Sequence, residues 1–533
     1  MTIAEPMIEL QIDGRTVAVD PGATVLEAAR KLGIRIPTLC HRDGHPALTS
    51  CMVCVVRVNG ARRLVPSCAT RVAPGMAVES ETPEVQAARR TAMELLLGDH
   101  LGDCIGPCQG VCPAHMDIPK MIREIHEGRL RDAIITIKDR IALPAVLGRI
   151  CPEICEHGCR RAVHDGSVSV CLLKRFAADE DLNSGDPYLP SRLPPTGKRV
   201  AIAGTGPAGL AAAYLLQQLG HACILFDRRS EPGGMLRYGV TPDRLPPEVL
   251  DAEIDLVRRL GAEFRVDEDP GLPDLQAGFD AVLIAAGPLE KDAPIAAGLA
   301  RTAQGIKVDR ASMQTSEMGV FAAGASVTPT RHAVRSLASG RSAALGIDHF
   351  LSAESGARLE SLYTVHIGKV HQEEIGPYLE GADPAGRTRP APGNGLSREE
   401  AHCEAGRCLR CDCQAQESCQ LRHWAAEYGA SPARFRGDRK PFERRGNVIP
   451  GTLGEMLLFE PGKCIDCGIC IDVAREAGAP LGLSFSGRGF SMRVTVPFGG
   501  DLATGLAHAA GDCAEACPTG ALVVDAEGCR GLG

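Results

Sequence analysis

The sequence has few aromatic residues and no excess of basic charge. Phe, Trp and Tyr make up 4% of 533 residues, and the formal net charge is −8. Binding to nucleic acid needs a basic face, so this charge argues against nucleic acid as the main partner. No stretch approaches roughly 18 uninterrupted apolar residues, so no membrane span is expected. The first ten residues lack a basic segment followed by an apolar one, so we expect no secretory signal and a cytoplasmic location.

Cysteine, by contrast, is abundant, with 23 residues in the chain. In a reducing cytoplasm, thiolate ligation of metal is a better interpretation of so many cysteines than disulfides. They fall in four groups, at 40–68, 104–171, 403–419 and 464–517, with cysteine-poor spans between them. The distribution therefore predicts several separate metal centres in a chain whose length suits roughly three to four domains.

The first group has the spacing C-x10-C-x2-C-x13-C and comprises Cys40, Cys51, Cys54 and Cys68. Four thiolates suit a [2Fe–2S] cluster, and a zinc site is the alternative for a C-x2-C pair. Hairpin patterns over 7–20 and 52–66, with a helix between them from Thr24 to Lys31, predict a β-grasp domain over 1–82 and favour [2Fe–2S]. The long first gap resembles the N-terminal domain of the large peripheral subunit of complex I and of iron-only hydrogenases.

The second group lies in a predicted helical domain over 83–190, with helical periodicity at 84–97 and 117–140. The run HLGDCIGPCQGVCP at 100–113 and the cysteines at 151–171 resemble the N-terminal domain of the glutamate synthase small subunit and dihydropyrimidine dehydrogenase. That resemblance implies two [4Fe–4S] clusters with ligands drawn from both runs. The implied ligands are His100, Cys104, Cys108 and Cys159 for one cluster, and Cys112, Cys151, Cys155 and Cys171 for the other.

The family's first run normally has four cysteines, whereas this chain has three, and His100 stands four residues before the first of them. A histidine holds the same relation to the cluster cysteines of the complex I subunit, and this resemblance implies a ligand role for it. The alternative is a histidine with a structural role, which is the interpretation for His115, His126, His157 and His164.

A strand–GxGxxG–helix–strand pattern follows at 198–227, with Gly204, Gly206 and Gly209 in the turn and Asp227 after the second strand. The glycines permit a tight turn and close approach of a pyrophosphate to the helix N-terminus, and the acidic residue would bind ribose hydroxyls. This fingerprint alone does not separate FAD from NAD.

Three further segments resemble the FAD domain of the glutamate synthase small subunit, and they predict such a domain over 198–351. EPGGMLRYGV contains Gly234 and Met235, DAVLIAAG ends at Gly287, and GVFAAGA contains Gly324 and Ala325. The family has Asp where this chain has Ala325, so one carboxylate that usually meets the flavin's ribityl chain is missing. Only 17 residues separate Gly287 from Gly305, where the family has a second, NADPH-binding Rossmann domain. No second GxGxxG occurs, so the nicotinamide domain is expected to be absent.

The C-terminal region is predicted to hold two more [4Fe–4S] clusters. After a connecting arm at 352–399, a Cys-rich motif over 400–430 supplies four cysteines, with zinc as the alternative metal. A domain over 455–527 supplies four more and resembles ferredoxin-like parts of complex I and formate dehydrogenase subunits. The predicted ligands are Cys408, Cys411, Cys413 and Cys419 in the motif, and Cys464, Cys467, Cys470 and Cys517 in the domain. The remaining cysteines are Cys223, Cys403, Cys513 and Cys529, and Cys403 is a spare for the motif.

The expected fold is multidomain, α+β and α/β, with FAD, one [2Fe–2S] and four [4Fe–4S] clusters. The resemblances imply an electron-transfer subunit of a larger oxidoreductase that does not itself react with NAD(P)H. Its expected partners are an NADH- and FMN-binding subunit of the complex I or hydrogenase type, and a further redox protein such as formate dehydrogenase, hydrogenase or ferredoxin. The alternatives are a self-contained NAD(P)H-dependent reductase and a redox-inactive scaffold held by zinc.

Overall fold

The computed structural model describes residues 6–290, 293–352, 363–391, 393–438, 441–449, 455–479 and 481–525. The chain forms two compact units, each built from separated stretches of sequence. The first unit comprises residues 1–105, 363–381 and 412–533, and the second comprises 106–362 and 382–411. Cys529 lies outside the described residues. Among the described helices, none combines the length and apolar character that crossing a membrane requires.

The first unit begins with a five-stranded sheet in the order β2-β1-β5-β3-β4, with one helix over it. Asp13 and Gly14 both have positive φ (48° and 76°), which gives the tight turn that a two-residue hairpin needs. Thr24 and Glu27 cap the helix reciprocally, so the predicted hairpin and helix are confirmed. The elements are β1 Ile8–Ile12, β2 Arg15–Val19, α1 Val25–Lys31, β3 Val55–Val58, β4 Leu64–Pro66, β5 Ala77–Glu79 and α2 Pro83–Asp99.

The second unit opens with a helical part that holds the second cysteine group. Its helices are α3 Pro107–Val111, α4 Ile118–His126, α5 Leu130–Lys138, α6 Pro144–Ile150, α7 Ile154–His157 and α8 Val170–Asn183. The periodicity at 117–140 belongs to two helices because Gly128 takes the left-handed conformation (φ 73°) and ends the first of them.

A parallel five-stranded sheet in the order β10-β9-β6-β7-β8 follows in the same unit. Its elements are β6 Arg199–Ala203, α9 Pro207–Gln218, β7 Ala222–Asp227, α10 Met235–Tyr238, α11 Pro247–Arg259, β8 Glu263–Val266, α12 Leu272–Gly278, β9 Ala281–Ile284, β10 Val320–Ala322 and α13 Ala333–Leu351. The strand order and the parallel pairing are those of the predicted Rossmann-type domain.

A buried carboxylate joins the sheet part to the helical part of the second unit. Glu253 on α11 accepts hydrogen bonds from the backbone N–H groups of Ala145 and Val146, both at 2.8 Å. These donors belong to the first turn of α6, where a negative charge is favourable. The contact fixes the helix whose end carries Cys151.

The rest of the chain contributes one helix to the second unit and the remaining elements to the first. They are α14 Gly376–Leu379, α15 Arg398–Gly406, α16 Gln420–Glu427, β11 Arg445–Val448, β12 Met456–Phe459, α17 Ile469–Glu476, β13 Ser484–Ser486, β14 Arg493–Thr495, α18 Leu502–Leu506, α19 Ala510–Ala516 and β15 Leu522–Asp525. Only α15 belongs to the second unit. Strands β11, β12 and β15 form an antiparallel sheet, and β13 pairs with β14.

Candidate iron–sulfur and flavin sites

The structure brings together the four cysteines of the first group. All four are buried, the Cys51 N–H donates to the Cys40 sulfur at 3.5 Å, and the sulfurs of Cys54 and Cys68 lie 3.4 Å apart. Hydrogen bonds from Cys51 and from Cys68 lower the pKa of Cys40 and of Cys54, respectively. The four buried cysteines thus form two close pairs, Cys40 with Cys51 and Cys54 with Cys68.

The four cysteines predicted in the C-terminal domain line one apolar cavity. They are Cys464, Cys467, Cys470 and Cys517. Cys513 is buried beside them, but its thiol points at the backbone carbonyl of Cys470 at 3.4 Å. Four sulfurs around an apolar cavity fit the ligand set of one [4Fe–4S] cluster.

A third set of donors lies in the first unit, around Cys104. The Cys413 N–H donates to the Cys104 carbonyl at 3.4 Å, and the Val365 N–H points at the Cys104 sulfur at 3.4 Å. Burial raises the pKa of Cys419 to about 12, and the nearby thiols of Cys413, Cys104 and Cys517 contribute to that rise.

His100 is close to the same donors. Burial and the nearby Lys463 ammonium lower the pKa of His100 to about 4, so the imidazole is neutral, as a metal ligand must be. Its Nδ1 is buried, and none of the described residues offers it a hydrogen-bond partner. Such an orphaned nitrogen fits a histidine ligand.

Four thiols of the second unit lie within electrostatic range of the ammonium group of Lys174. Burial alone would lower the pKa of Lys174, but the thiols nearby raise it above its ordinary value. Those thiols belong to Cys171, Cys151, Cys155 and Cys112, the set implied by the sequence for one cluster. The Lys174 Nζ lies 3.8 Å from the Cys171 sulfur.

Lys174 was not singled out by the sequence, because nothing but its position three residues after Cys171 indicated a role. Glu156 was missed for the same reason, and its carboxylate accepts the Cys171 N–H at 3.1 Å. Both side chains are buried, and together they hold the Cys171 segment against the other thiols.

The other predicted quartets each draw on both units. His100 and Cys104 belong to the first unit, whereas Cys108 and Cys159 belong to the second. Cys408 and Cys411 likewise belong to the second unit, and Cys413 and Cys419 to the first. Among the described side chains, no three or more His, Cys, Asp or Glu residues are arranged to hold a single metal ion.

The glycine-rich turn of the second unit has the geometry of a dinucleotide site. Gly206 caps α9 without a side chain, and a Cβ at this residue would meet no protein atom within 4 Å. At Gly204 and Gly209, by contrast, a Cβ would strike backbone oxygen atoms. The open space in front of Gly206, at the helix N-terminus, fits a pyrophosphate.

Asp227 lies beside this turn, at the end of β7. Its carboxylate accepts the Thr205 N–H at 3.0 Å and the Arg229 N–H at 3.1 Å. The segment with Gly234 and Met235 is tied to the same turn, since the Gly233 N–H donates to the Thr205 carbonyl at 3.2 Å. Three of the sequence-predicted segments are thus brought together.

The last predicted flavin segments also converge. The Ser326 hydroxyl donates to the Gly287 carbonyl at 2.8 Å, and a Cβ at Gly324 would approach the Ala208 side chain at 2.9 Å. Ala325 lies between these contacts and offers no carboxylate. The residues present therefore fit a dinucleotide at the pyrophosphate end, with one usual polar contact missing.

Three family profiles match the chain. A 2Fe-2S iron-sulfur cluster binding domain covers residues 5–83, and the 4Fe-4S domain II of dihydropyrimidine dehydrogenase covers residues 101–186. An NAD(P)-binding Rossmann-like domain covers residues 202–259, the segment of the glycine-rich turn. The chain thus contains a [2Fe–2S] domain, a [4Fe–4S] domain and a Rossmann-like domain, as the sequence predicted.

Curated relatives are redox proteins. The beta subunit of a NADPH-Fe(3+) oxidoreductase from Geobacter sulfurreducens is 41% identical over 184 residues, covering 33% of this chain and 27% of the relative. The beta subunit of an NADP(+)-dependent formate dehydrogenase from Moorella thermoacetica is 38% identical, covering 33% and 28%. The Escherichia coli subunit PreT of NAD-dependent dihydropyrimidine dehydrogenase is 37% identical, covering 33% and 44%. The match therefore spans less than half the length of each of these relatives, which are oxidoreductase subunits.

Proposed function

We propose that the chain is an electron-transfer subunit of a larger oxidoreductase, with one FAD, one [2Fe–2S] and four [4Fe–4S] clusters. When bound, FAD exchanges one or two electrons and iron–sulfur clusters exchange one, so the two together join hydride chemistry to single-electron transfer. The chain's own residues would bind these groups, set the distances between them and exclude water from them. Among the residues that the structure describes, none is singled out as an acid, base or nucleophile.

The order of the cysteine sites in the first unit is the observation that carries this proposal. Cys40 and Cys467 lie within electrostatic range of one another. The loop around Cys40 packs on α17, since Arg42 pairs with Glu476 at 2.6 Å and a Cβ at Gly468 would lie 2.9 Å from Leu48. The Cys467 site is thus the neighbour of the Cys40 site.

The Cys467 site also adjoins the donors around Cys104. Cys517 contributes to the raised pKa of Cys419, and the Leu421 N–H donates to the Pro518 carbonyl at 3.2 Å. A Cβ at Gly520 would lie 3.1 Å from the Cys413 sulfur. Three sites follow one another through one buried core, which supports a path for single electrons.

Each end of this path of clusters is expected to exchange electrons with a partner protein. The β-grasp [2Fe–2S] end suits an NADH- and FMN-binding subunit of the complex I or hydrogenase type. The far end would serve formate dehydrogenase, hydrogenase, ferredoxin or another redox protein. Formate dehydrogenase is favoured among these by a matching relative, although that relative shares only part of its length with this chain.

Metal and flavin analysis of the anaerobically purified full chain tests the proposed cofactor set. We expect about 18 irons per chain and close to one FAD, because one [2Fe–2S] and four [4Fe–4S] clusters add up to that number. Iron near 10 per chain would mean that two of the four-iron sites are wrong. Zinc in place of iron, in a colourless protein, would support the redox-inactive scaffold.

A further inference from the structure

Cysteines that are neighbours in one sequence run do not all belong to the same compact unit. The run at 100–112 and the run at 408–419 each pass from one unit to the other part-way along. Two of the predicted quartets, the one with His100 and the one with Cys408, therefore each have two ligands in the first unit and two in the second. The first-unit ligands are His100, Cys104, Cys413 and Cys419, and the second-unit ligands are Cys108, Cys159, Cys408 and Cys411.

Three of the first-unit ligands, Cys104, Cys413 and Cys419, are connected by a hydrogen bond or a shared core. The backbone of Cys413 bonds to that of Cys104, and Cys104 and Cys419 are buried in the same core. Backbone N–H groups of Val365 and Arg422 point at the sulfurs of Cys104 and Cys419, both at 3.4 Å, as is usual around cluster thiolates.

His100 is held beside this group by its own segment. The Leu101 N–H donates to the Gly462 carbonyl at 2.7 Å, and a Cβ at Gly102 would lie 2.5 Å from the Lys463 side chain. Lys463 is within electrostatic range of both His100 and Cys413. Lys463 thus links His100 to Cys413, and the buried Nδ1 of His100 has no hydrogen-bond partner in the described part of the chain.

In the second unit, the segments that carry Cys108 and Cys159 pack closely. A Cβ at Gly158 would lie 2.9 Å from the Pro107 carbonyl and 2.7 Å from the Val111 side chain. The residues next to the two cysteines in sequence are therefore in van der Waals contact. No side chain larger than hydrogen fits at Gly158.

A buried arginine pair ties Cys408 to the Cys159 segment. The Arg161 guanidinium donates to the Arg407 carbonyl at 2.7 Å, and the Arg407 guanidinium donates to the Ser167 carbonyl at 3.3 Å. Arg407 is within electrostatic range of Cys159. Cys108, Cys159 and Cys408 are all packed against the same hydrophobic core.

We propose that His100, Cys104, Cys413 and Cys419 hold one [4Fe–4S] cluster and that Cys108, Cys159, Cys408 and Cys411 hold another. Each cluster then joins a ligand pair from the N-terminal half to a pair from the C-terminal half, within one unit. The set of twenty predicted ligands is unchanged, and only the grouping of eight of them differs. This inference rests on the proposed function, because it requires that iron–sulfur clusters are bound.

Serine variants of the full-length chain, read by EPR and Mössbauer spectroscopy after anaerobic purification, test the grouping. We expect Cys104→Ser and Cys413→Ser to alter the same cluster signal. Cys108→Ser and Cys411→Ser should alter a different one, with loss of up to four irons in each variant. The grouping is overturned if Cys104→Ser and Cys108→Ser alter one signal while Cys411→Ser and Cys413→Ser alter another.

A histidine variant and a control complete the experiment. His100→Cys should keep the iron content but shift the signal that Cys413→Ser alters, since a thiolate replaces a neutral imidazole. A shift of the Cys411-dependent signal would overturn the grouping. Cys403→Ser, at an exposed cysteine, should leave every signal unchanged, and a change would place Cys403 in the ligand set instead.

The [2Fe–2S] signal of the same samples reports whether each variant has folded. If that signal is present, but Cys104→Ser and Cys108→Ser alter one four-iron signal and Cys411→Ser and Cys413→Ser alter another, only the grouping is contradicted. Wild-type chain without any iron–sulfur signal contradicts the proposed function and the grouping together.

Discussion

Anaerobic mixing of the isolated chain with NADH or NADPH is expected to leave its flavin absorbance unchanged, whereas dithionite should bleach it. Hydride transfer needs the nicotinamide held against the flavin, and such positioning is worth on the order of 10⁵-fold or more in rate. The chain returns from Gly287 to Gly305 through 17 residues, and a β-α-β unit takes roughly 30. After this short return, β10 pairs directly with β9.

Stopped-flow absorbance of the lone chain with each nucleotide measures this effect, with dithionite as the control that the flavin is reducible. Rapid bleaching by NADH or NADPH would contradict the proposal of a dependent electron-transfer subunit. It would instead support a self-contained reductase.

A single methyl group in the glycine-rich turn is expected to weaken FAD binding without unfolding the chain. At Gly206 a Cβ meets no protein atom within 4 Å, so Gly206→Ala has no steric cost in the protein itself. The methyl group would occupy the space in front of α9 where the pyrophosphate is expected. We predict at least tenfold weaker FAD binding, equivalent to about 1.4 kcal/mol, with the iron content unchanged.

Gly278→Ala provides the matched control, because a Cβ there also meets no atom within 4 Å and the residue ends α12, outside the glycine-rich turn. Both variants are compared with the wild type by flavin fluorescence after release and by titration of FAD into the apoprotein. Equal FAD content in all three proteins would show that the flavin is not bound at this turn.

Local signals in the sequence predicted most of the elements that position the sites. The Asp13-Gly14 turn, the Thr24 cap and the strand–turn–helix at 199–218 are each determined by neighbouring residues, and each was found where it was expected. The pattern over 117–140 was less informative, because helical periodicity continues across Gly128 while the backbone does not.

The positions of the candidate ligands were predictable, but their grouping was not. Spacing within a run indicates that cysteines bind metal, and it carries no information on where the chain passes between compact units. The contact of Cys413 with Cys104 joins residues 309 positions apart. The role of the buried Lys174 could not be predicted either, because the four thiols that act on it are brought close only by the fold.

We propose that the Cys467 site connects the [2Fe–2S] site to the donors around Cys104. EPR spectra of the dithionite-reduced full chain test it directly, because neighbouring paramagnetic clusters broaden and split one another's signals. We expect Cys467→Ser to remove one four-iron signal and to sharpen the [2Fe–2S] signal. Cys513→Ser, at a buried cysteine beside the same site, should leave both as in the wild type. A [2Fe–2S] signal identical in wild type and Cys467→Ser would contradict the account.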